Sequence, residues 1–146
     1  MEATVPFSGG CACGAIRYEC SAEPIMSTNC HCRDCQRASG SAFGPFLIVW
    51  TDAFRFLSGA PKFYRKASDS GKSMSRGFCP DCGSPIILQP EHRPKLVAVY
   101  AASLDDPTRH KPSMDLFTAS AQPWDVMNPE VKKFPRMPPV PDSLGQ

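Results

Sequence analysis

Apolar and polar positions alternate along this chain in short runs, rich in aromatic, β-branched and aliphatic residues and broken by Gly, Pro and Ser, which is the pattern of β-strands. Strands are predicted over residues 15–20, 46–50, 54–57, 62–66, 73–78, 86–88, 96–100 and 116–119. No window longer than three turns carries apolar residues at i, i+3, i+4 and i+7, so long amphipathic helices are not expected. One short helical turn is predicted over 33–38, just after a cysteine pair and ahead of Gly40, which can end it in the left-handed conformation. The expected architecture is mainly β, built of short antiparallel strands. From Phe134 through Pro135, Arg136, Met137, Pro138, Pro139, Val140 and Pro141 the prolines remove backbone donors, so this stretch is predicted to run extended over the surface. Residues 1–133 are therefore read as one domain and 134–146 as a Pro-rich tail. The tail is read first as a terminus with no chemistry, the alternative being that its apolar members, with Trp124 just upstream, cover part of the sheet or a pocket.

A chain of 146 residues suits a single domain with one modest core. Lys and Arg number 16 against 14 Asp and Glu, and the basic residues are scattered, so neither nucleic acid nor an anionic membrane is expected as a partner. The longest apolar runs, 46–50 and 96–102, fall far short of the roughly 20 residues that span a bilayer. Residues 1–10 carry no basic n-region and no apolar h-region, and a cytoplasmic address is expected.

That address governs the reading of eight cysteines. Cytosolic thiols stay reduced, so clustered cysteines there point to metal or catalysis ahead of disulfides. Seven of the eight fall into three clusters: Cys11 and Cys13 as C-x-C, Cys30, Cys32 and Cys35 as C-x-C-x-x-C, and Cys79 and Cys82 as C-x-x-C. Zinc favours four tetrahedral ligands with thiolate among the preferred donors, so seven clustered thiols amount to two sites. Pairing Cys11 and Cys13 with Cys79 and Cys82 closes a four-thiolate structural site and leaves Cys30, Cys32 and Cys35. Three protein ligands with one position over is the pattern of a catalytic zinc. The spacing is also compatible with Cys32 and Cys35 joining Cys79 and Cys82 in a zinc ribbon, and thiolate ligands also suit iron. His31 is either a fourth ligand or, as adjacent residues of an extended C-x-C project to opposite sides, a group turned away from the metal. Cys20, outside every cluster, reads as a small buried hydrophobe.

Three stretches then carry a resemblance: Gly10 Cys11 Ala12 Cys13 Gly14 Ala15 Ile16 Arg17 Tyr18; Cys30 His31 Cys32 Arg33 Asp34 Cys35 Gln36 Arg37 with Ser39 Gly40 Ser41 Ala42 Phe43; and Phe78 Cys79 Pro80 Asp81 Cys82 Gly83 Ser84 Pro85 Ile86. In order and spacing they closely resemble the glutathione-dependent formaldehyde-activating enzyme family, which also includes centromere protein V, and Gln122 Pro123 Trp124 is similar to a weaker feature of its C-terminal part. The resemblance implies an Mss4-like, mostly β fold with two zinc ions per chain. It implies a structural zinc on Cys11, Cys13, Cys79 and Cys82 and a catalytic zinc on Cys30, Cys32 and Cys35. It further implies a carbon-sulfur lyase of the S-(hydroxymethyl)glutathione synthase type, with glutathione or a similar thiol and formaldehyde as small-molecule partners. Ser39, Ser41 and the amides near Gly40 lie close enough in sequence to serve as donors to a developing alkoxide, or else to cap a turn. Arg33 and Arg37 are the first candidates for the carboxylates of glutathione. The competing reading is a zinc-stabilised binding module in which both metals only hold the fold.

Overall fold

The computed structural model describes residues 6–68, 70–139 and 142–144. Eleven strands and one α-helix are present among them. In chain order the strands are β1 (Phe7–Gly10), β2 (Arg17–Cys20), β3 (Met26–Cys30), β4 (Gly44–Trp50), β5 (Phe54–Ser58), β6 (Lys62–Ala67), β7 (Ser73–Phe78), β8 (Pro85–Pro90), β9 (Leu96–Tyr100), β10 (Met114–Leu116) and β11 (Lys132–Lys133), with helix α1 (Arg33–Ser39) between β3 and β4. They form a three-stranded sheet, β1-β2-β5, and an eight-stranded sheet in the order β11-β10-β3-β4-β9-β8-β7-β6. Pairing is antiparallel except at one end of the large sheet, where β10 runs parallel to both β3 and β11.

Alternation along the central strands explains how the layers form. On β4, Leu47 and Val49 point into a core shared with Phe7, Tyr18 and Cys20 of the small sheet, together with Ile87, Val97 and Val99. Phe46 and Ile48, of opposite parity, pack with Leu88, Ala98 and Tyr100 and with Cys30 and Cys35. The period of two thus sends one set of side chains to the inter-sheet core and the other to the face that carries α1. Strand β9 is buried at all five positions because both its faces are covered, which is why it reads as an unbroken apolar run. Cys20 lies wholly inside the inter-sheet core.

Most predicted elements fall within a residue or two of the observed ones; β11, only two lysines long, carries no hydrophobic pattern, and three further differences have visible reasons. Strands β1 and β3 carry Ser, Gly, Thr and Asn and were not marked by hydrophobicity; their backbones are held by pairing with β2 and β4. The predicted strand 116–119 ends at Leu116, since Phe117 takes a left-handed backbone (φ 56°) and Thr118–Ser120 form a 3-10 turn. The N–H groups of Thr118 and Ala119 bond the carbonyls of Phe134 and Pro135, so the first part of the Pro-rich stretch is docked, and the chain bends at Pro135 and Arg136. Val140 and Pro141 of that stretch lie outside the described residues. No described helix is long and apolar enough to cross a membrane.

Candidate metal centre

Two hairpin loops build the first cysteine group. Cys11 and Cys13 sit in the β1-β2 loop, Cys79 and Cys82 in the β7-β8 loop, and their four sulfur atoms all lie within 4.8 Å of one another. Each loop turns back through a glycine just after its second cysteine, Gly14 at φ 81° and Gly83 at φ 78°. Those left-handed backbones let the chain fold around sulfur: the Gly83 N–H bonds the Cys79 carbonyl at 2.8 Å, and the Ile16 N–H reaches the Cys11 sulfur at 3.2 Å. Ser84 joins the loops, accepting from the Ala12 N–H at 3.0 Å and lying 3.2 Å from the Cys82 sulfur. Hydrogen bonds from the Ser84 side chain first, then from the Ser84 and Cys13 backbone, pull the Cys82 thiol down to about 5.

The second group comes from one continuous segment. Cys30 ends β3, Cys32 is the N-cap of α1 and accepts from the Cys35 N–H at 3.3 Å, and Cys35 sits in the first turn. Gly40, at φ 67°, closes the helix by donating to the Gln36 carbonyl. The three sulfurs again lie within 4.8 Å of one another, with Cys30 and Cys35 buried and Cys32 half-buried. Hydrogen bonds from the Cys30 and Cys35 thiols hold the Cys32 sulfur well below the ordinary thiol range, and the Cys30 thiol is correspondingly raised, by its two cysteine neighbours first and burial next.

All eight thiols are free, and the groups form as four and three; the alternative ribbon, Cys32 and Cys35 with Cys79 and Cys82, is not what the fold assembles. The donor sets fit soft divalent metal ions such as zinc: a tetrathiolate cage and a trithiolate set. Among the described residues no fourth Cys, His, Asp or Glu joins the second group. His31 is turned away and buried. Its Nδ1 lies 2.7 Å from Asp125 Oδ2 and its Nε2 3.1 Å from Asp115 Oδ1, so both ring nitrogens are engaged by carboxyl groups. Neither nitrogen is left to bind a metal.

The other predicted residues separate. Ser39 caps a turn, its hydroxyl donating to the Phe43 carbonyl at 2.8 Å while it accepts from the Ser41 N–H. Arg33 bonds the side chain of Gln36. Arg37 lines a cavity of about 260 Å³ beside Cys35. A larger cavity, about 490 Å³, is lined by Cys11 and Ser84 from the first group's loops and by Ser39 and Tyr100 from around the second. Trp124 is exposed and covers neither.

Several residues of the second site were not anticipated. Arg76 on β7 places Nη2 3.6 Å from the Cys35 sulfur and Nη1 3.0 Å from the Tyr100 hydroxyl. Burial works against its charge, yet the Cys35 sulfur and Tyr100 hold the guanidinium firmly protonated. The period of two on β7 carried the signal, because Arg76 shares a face with Met74, which packs against the three-cysteine core. Gln36, buried, donates to the carbonyls of His31 at 2.7 Å and Ser120 at 3.0 Å, pinning α1 to the C-terminal segment. For Gln36, Asp115 and Asp125 no local sequence signal exists, as their partners are brought together only by the fold.

A family model described as glutathione-dependent formaldehyde-activating enzyme matches residues 6–120. Among solved structures, the chain is similar to a crystal structure of a Rhodobacter sphaeroides protein at 22% sequence identity and a TM-score of 0.53, over 67% of this chain and 87% of that one. That likeness is one of fold.

Proposed function

As this chain belongs to the glutathione-dependent formaldehyde-activating enzyme family, on the match over residues 6–120, we propose that it is a zinc-dependent carbon-sulfur lyase of the S-(hydroxymethyl)glutathione synthase type. The proposed reaction joins a thiol, glutathione or a similar one, reversibly to formaldehyde: a carbon-sulfur bond forms, the carbonyl π bond opens, and the thiol proton ends on the new hydroxyl. Zinc is assigned to both groups, structural on Cys11, Cys13, Cys79 and Cys82 and catalytic on Cys30, Cys32 and Cys35. The observation that carries the reading is the three-sulfur group that has no fourth ligand among the described residues, His31 being tied to two aspartates. When bound there, zinc supplies a coordination position that holds an incoming thiol as its thiolate beside the aldehyde.

The chain's own groups have separable tasks in this reading. Ser39 is already committed to the Phe43 carbonyl, so Tyr100 is the better donor to the developing alkoxide: its oxygen accepts from Arg76, and burial pushes its pKa up to about 12, which keeps its proton in place. Holding α1 through Gln36 keeps Cys32 and Cys35 in register with Cys30. A cytoplasmic setting suits eight unpaired thiols, and residues 1–133 are taken as the working domain with 134–146 as a tail.

Cobalt substitution tests the proposal. Thiolate-to-cobalt bands should intensify as glutathione is titrated in, with loss of this response in Cys32→Ser and its retention in Cys20→Ala. Adding formaldehyde to the zinc protein should then speed hydroxymethyl adduct formation above the uncatalysed rate. A full complement of zinc with no spectral response to any thiol and no acceleration would make the chain a zinc-stabilised binding module instead.

A further inference from the structure

The cavity beside Cys35 has walls from three elements. Asp34, Arg37 and Ala38 come from α1, Tyr64 and Lys66 from β6, and Arg76 from β7, around a volume of about 260 Å³. Three of those side chains are cationic and one is anionic. Asp34 already has a partner in Lys66 Nζ at 2.6 Å, so the positive excess rests on the two guanidinium groups. Arg76 belongs both to this cavity and to the cysteine group, since it lines the cavity and its guanidinium donates to the Cys35 sulfur and to Tyr100. Two of its five N–H groups are used in that way, which fixes the plane of the fork. An anion entering the cavity therefore meets a guanidinium already oriented and half-buried, where charge-assisted hydrogen bonds count for more than at a free surface.

We propose that this cavity is the recognition subsite for a carboxylate of the thiol co-substrate, with Arg76 as its anchor and Arg37 as the second cation, so that the site selects anionic thiols over neutral and cationic ones. The inference rests on the thiol-binding reading of Cys30, Cys32 and Cys35 given above. Its geometric content is specific. Because Arg76 both lines the cavity and donates to the Cys35 sulfur, a thiol bound at the three-cysteine group is expected to carry its carboxylate towards the cavity when the two functions are a few bonds apart. Tyr64, with its ring exposed at the rim, limits the cavity on the β6 side without contributing charge.

The test uses the full chain loaded with cobalt and three thiols of similar length that differ in charge: 3-mercaptopropionate, 2-mercaptoethanol and cysteamine. Each is titrated against the thiolate-to-cobalt bands in the wild type, Arg76→Gln, Arg37→Gln and the double variant. The quantity compared is the wild-type to variant ratio of dissociation constants for each thiol, in which the thiols' own acidities cancel. Arg76→Gln should weaken 3-mercaptopropionate by roughly ten-fold or more, the worth of one charge-assisted pair, and change 2-mercaptoethanol far less. Arg37→Gln should act in the same direction but less strongly, and it leaves the contact with Cys35 intact, which guards against a simple disturbance of the metal site. High salt should shrink the effect at Arg37 more than at the less exposed Arg76. Equal ratios for all three thiols in both variants would overturn the subsite while leaving the thiol-binding reading standing. No spectral response to any thiol in the wild type would remove both together.

Discussion

His31 and Asp125, 94 residues apart in the chain, meet at 2.7 Å in a nearly water-free position. On its other side the same imidazole meets Asp115, whose second oxygen takes Lys133 Nζ at 3.0 Å. The result is a line of hydrogen-bonded polar groups that fastens the segment after β10 to the cysteine-bearing loop and turns His31 away from the sulfurs. Taking one member from a buried charged network leaves its neighbour uncompensated. Asp115→Ala should therefore cost about 3–5 kcal/mol in urea unfolding. Asp125→Ala should cost less, roughly 1–3 kcal/mol, because the chain around it is only partly covered. Combining either with His31→Ala should be markedly less than additive, and additivity would mean that the three do not act as one unit.

The two cysteine groups should differ in what they do for the fold. Zinc analysis should give about two ions per chain, since four and three thiolates fill one tetrahedral site and most of a second. Cys79→Ser breaks a cage that joins two hairpins far apart in sequence, and much of the metal's contribution to folding should go with it, seen as a fall in thermal midpoint and as protease sensitivity. Cys32→Ser should lower the content to about one zinc while the midpoint moves little, because its three donors lie within a single local segment. Equal destabilisation by the two substitutions would contradict the division into a structural and a catalytic ion.

The cysteine spacing carried the three clusters because C-x-C and C-x-x-C are local geometries, whereas spacing left open which clusters share a site, and the fold is what brings Cys11 and Cys13 to Cys79 and Cys82. Short runs of strand-forming residues bounded by turn residues likewise located β7 and β9 at their observed limits. What stayed hidden was nonlocal. Nothing near Asp125 marks it as the partner of His31, and β3 with its Ser, Thr and Asn is a strand only because β4 and β10 supply its hydrogen bonds. The resemblance located the cysteines well and the cationic cavity not at all: of the two arginines flanking Cys35, Arg37 reaches it, whereas Arg33 turns to Gln36 and the better-placed Arg76 lies on another strand.

Glycines offer a finer check on the hairpin loops. At Gly14 and Gly83 an added Cβ meets nothing within 4 Å, so alanine there should cost only the left-handed backbone, about 1–2 kcal/mol. Gly59 also has a positive φ, but its Cβ would run into the Ala15 carbonyl and the Ile16 side chain of the β1-β2 connection. Gly59→Ala should therefore destabilise more than either loop substitution. Competition with a chelator separates the loops from Gly59: Gly14→Ala and Gly83→Ala should release zinc from the four-cysteine group sooner, whereas Gly59→Ala should show mainly as lost stability.

Acid should expose one ion pair that the metal sites do not involve directly. Asp105 takes both Arg17 guanidinium nitrogens, at 2.8 and 2.6 Å, and the Ser8 hydroxyl at 2.7 Å, which joins the small sheet to the turn after β9. Arg17 first, then Ser8, holds its carboxyl down to about 2. A folded-state value below the unfolded one means that the unfolded chain binds the proton more readily. The stabilisation is therefore fully present above the ordinary carboxylate value, near pH 4, and is lost as pH falls towards 2. Both side chains are well over a third exposed, so solvent screening keeps the contribution below about 1 kcal/mol. Thiolates also pick up protons in acid and give up their metal, so the absolute stability curve mixes two effects. The difference between the wild type and Asp105→Asn removes the shared one. That difference should be a few tenths of a kcal/mol to about 1 kcal/mol at pH 5–7, shrink between pH 4 and 2, and fall with added salt. A difference that stays constant down to pH 2 would show that Asp105 holds the turn by shape and neutral hydrogen bonds, with its charge playing no part.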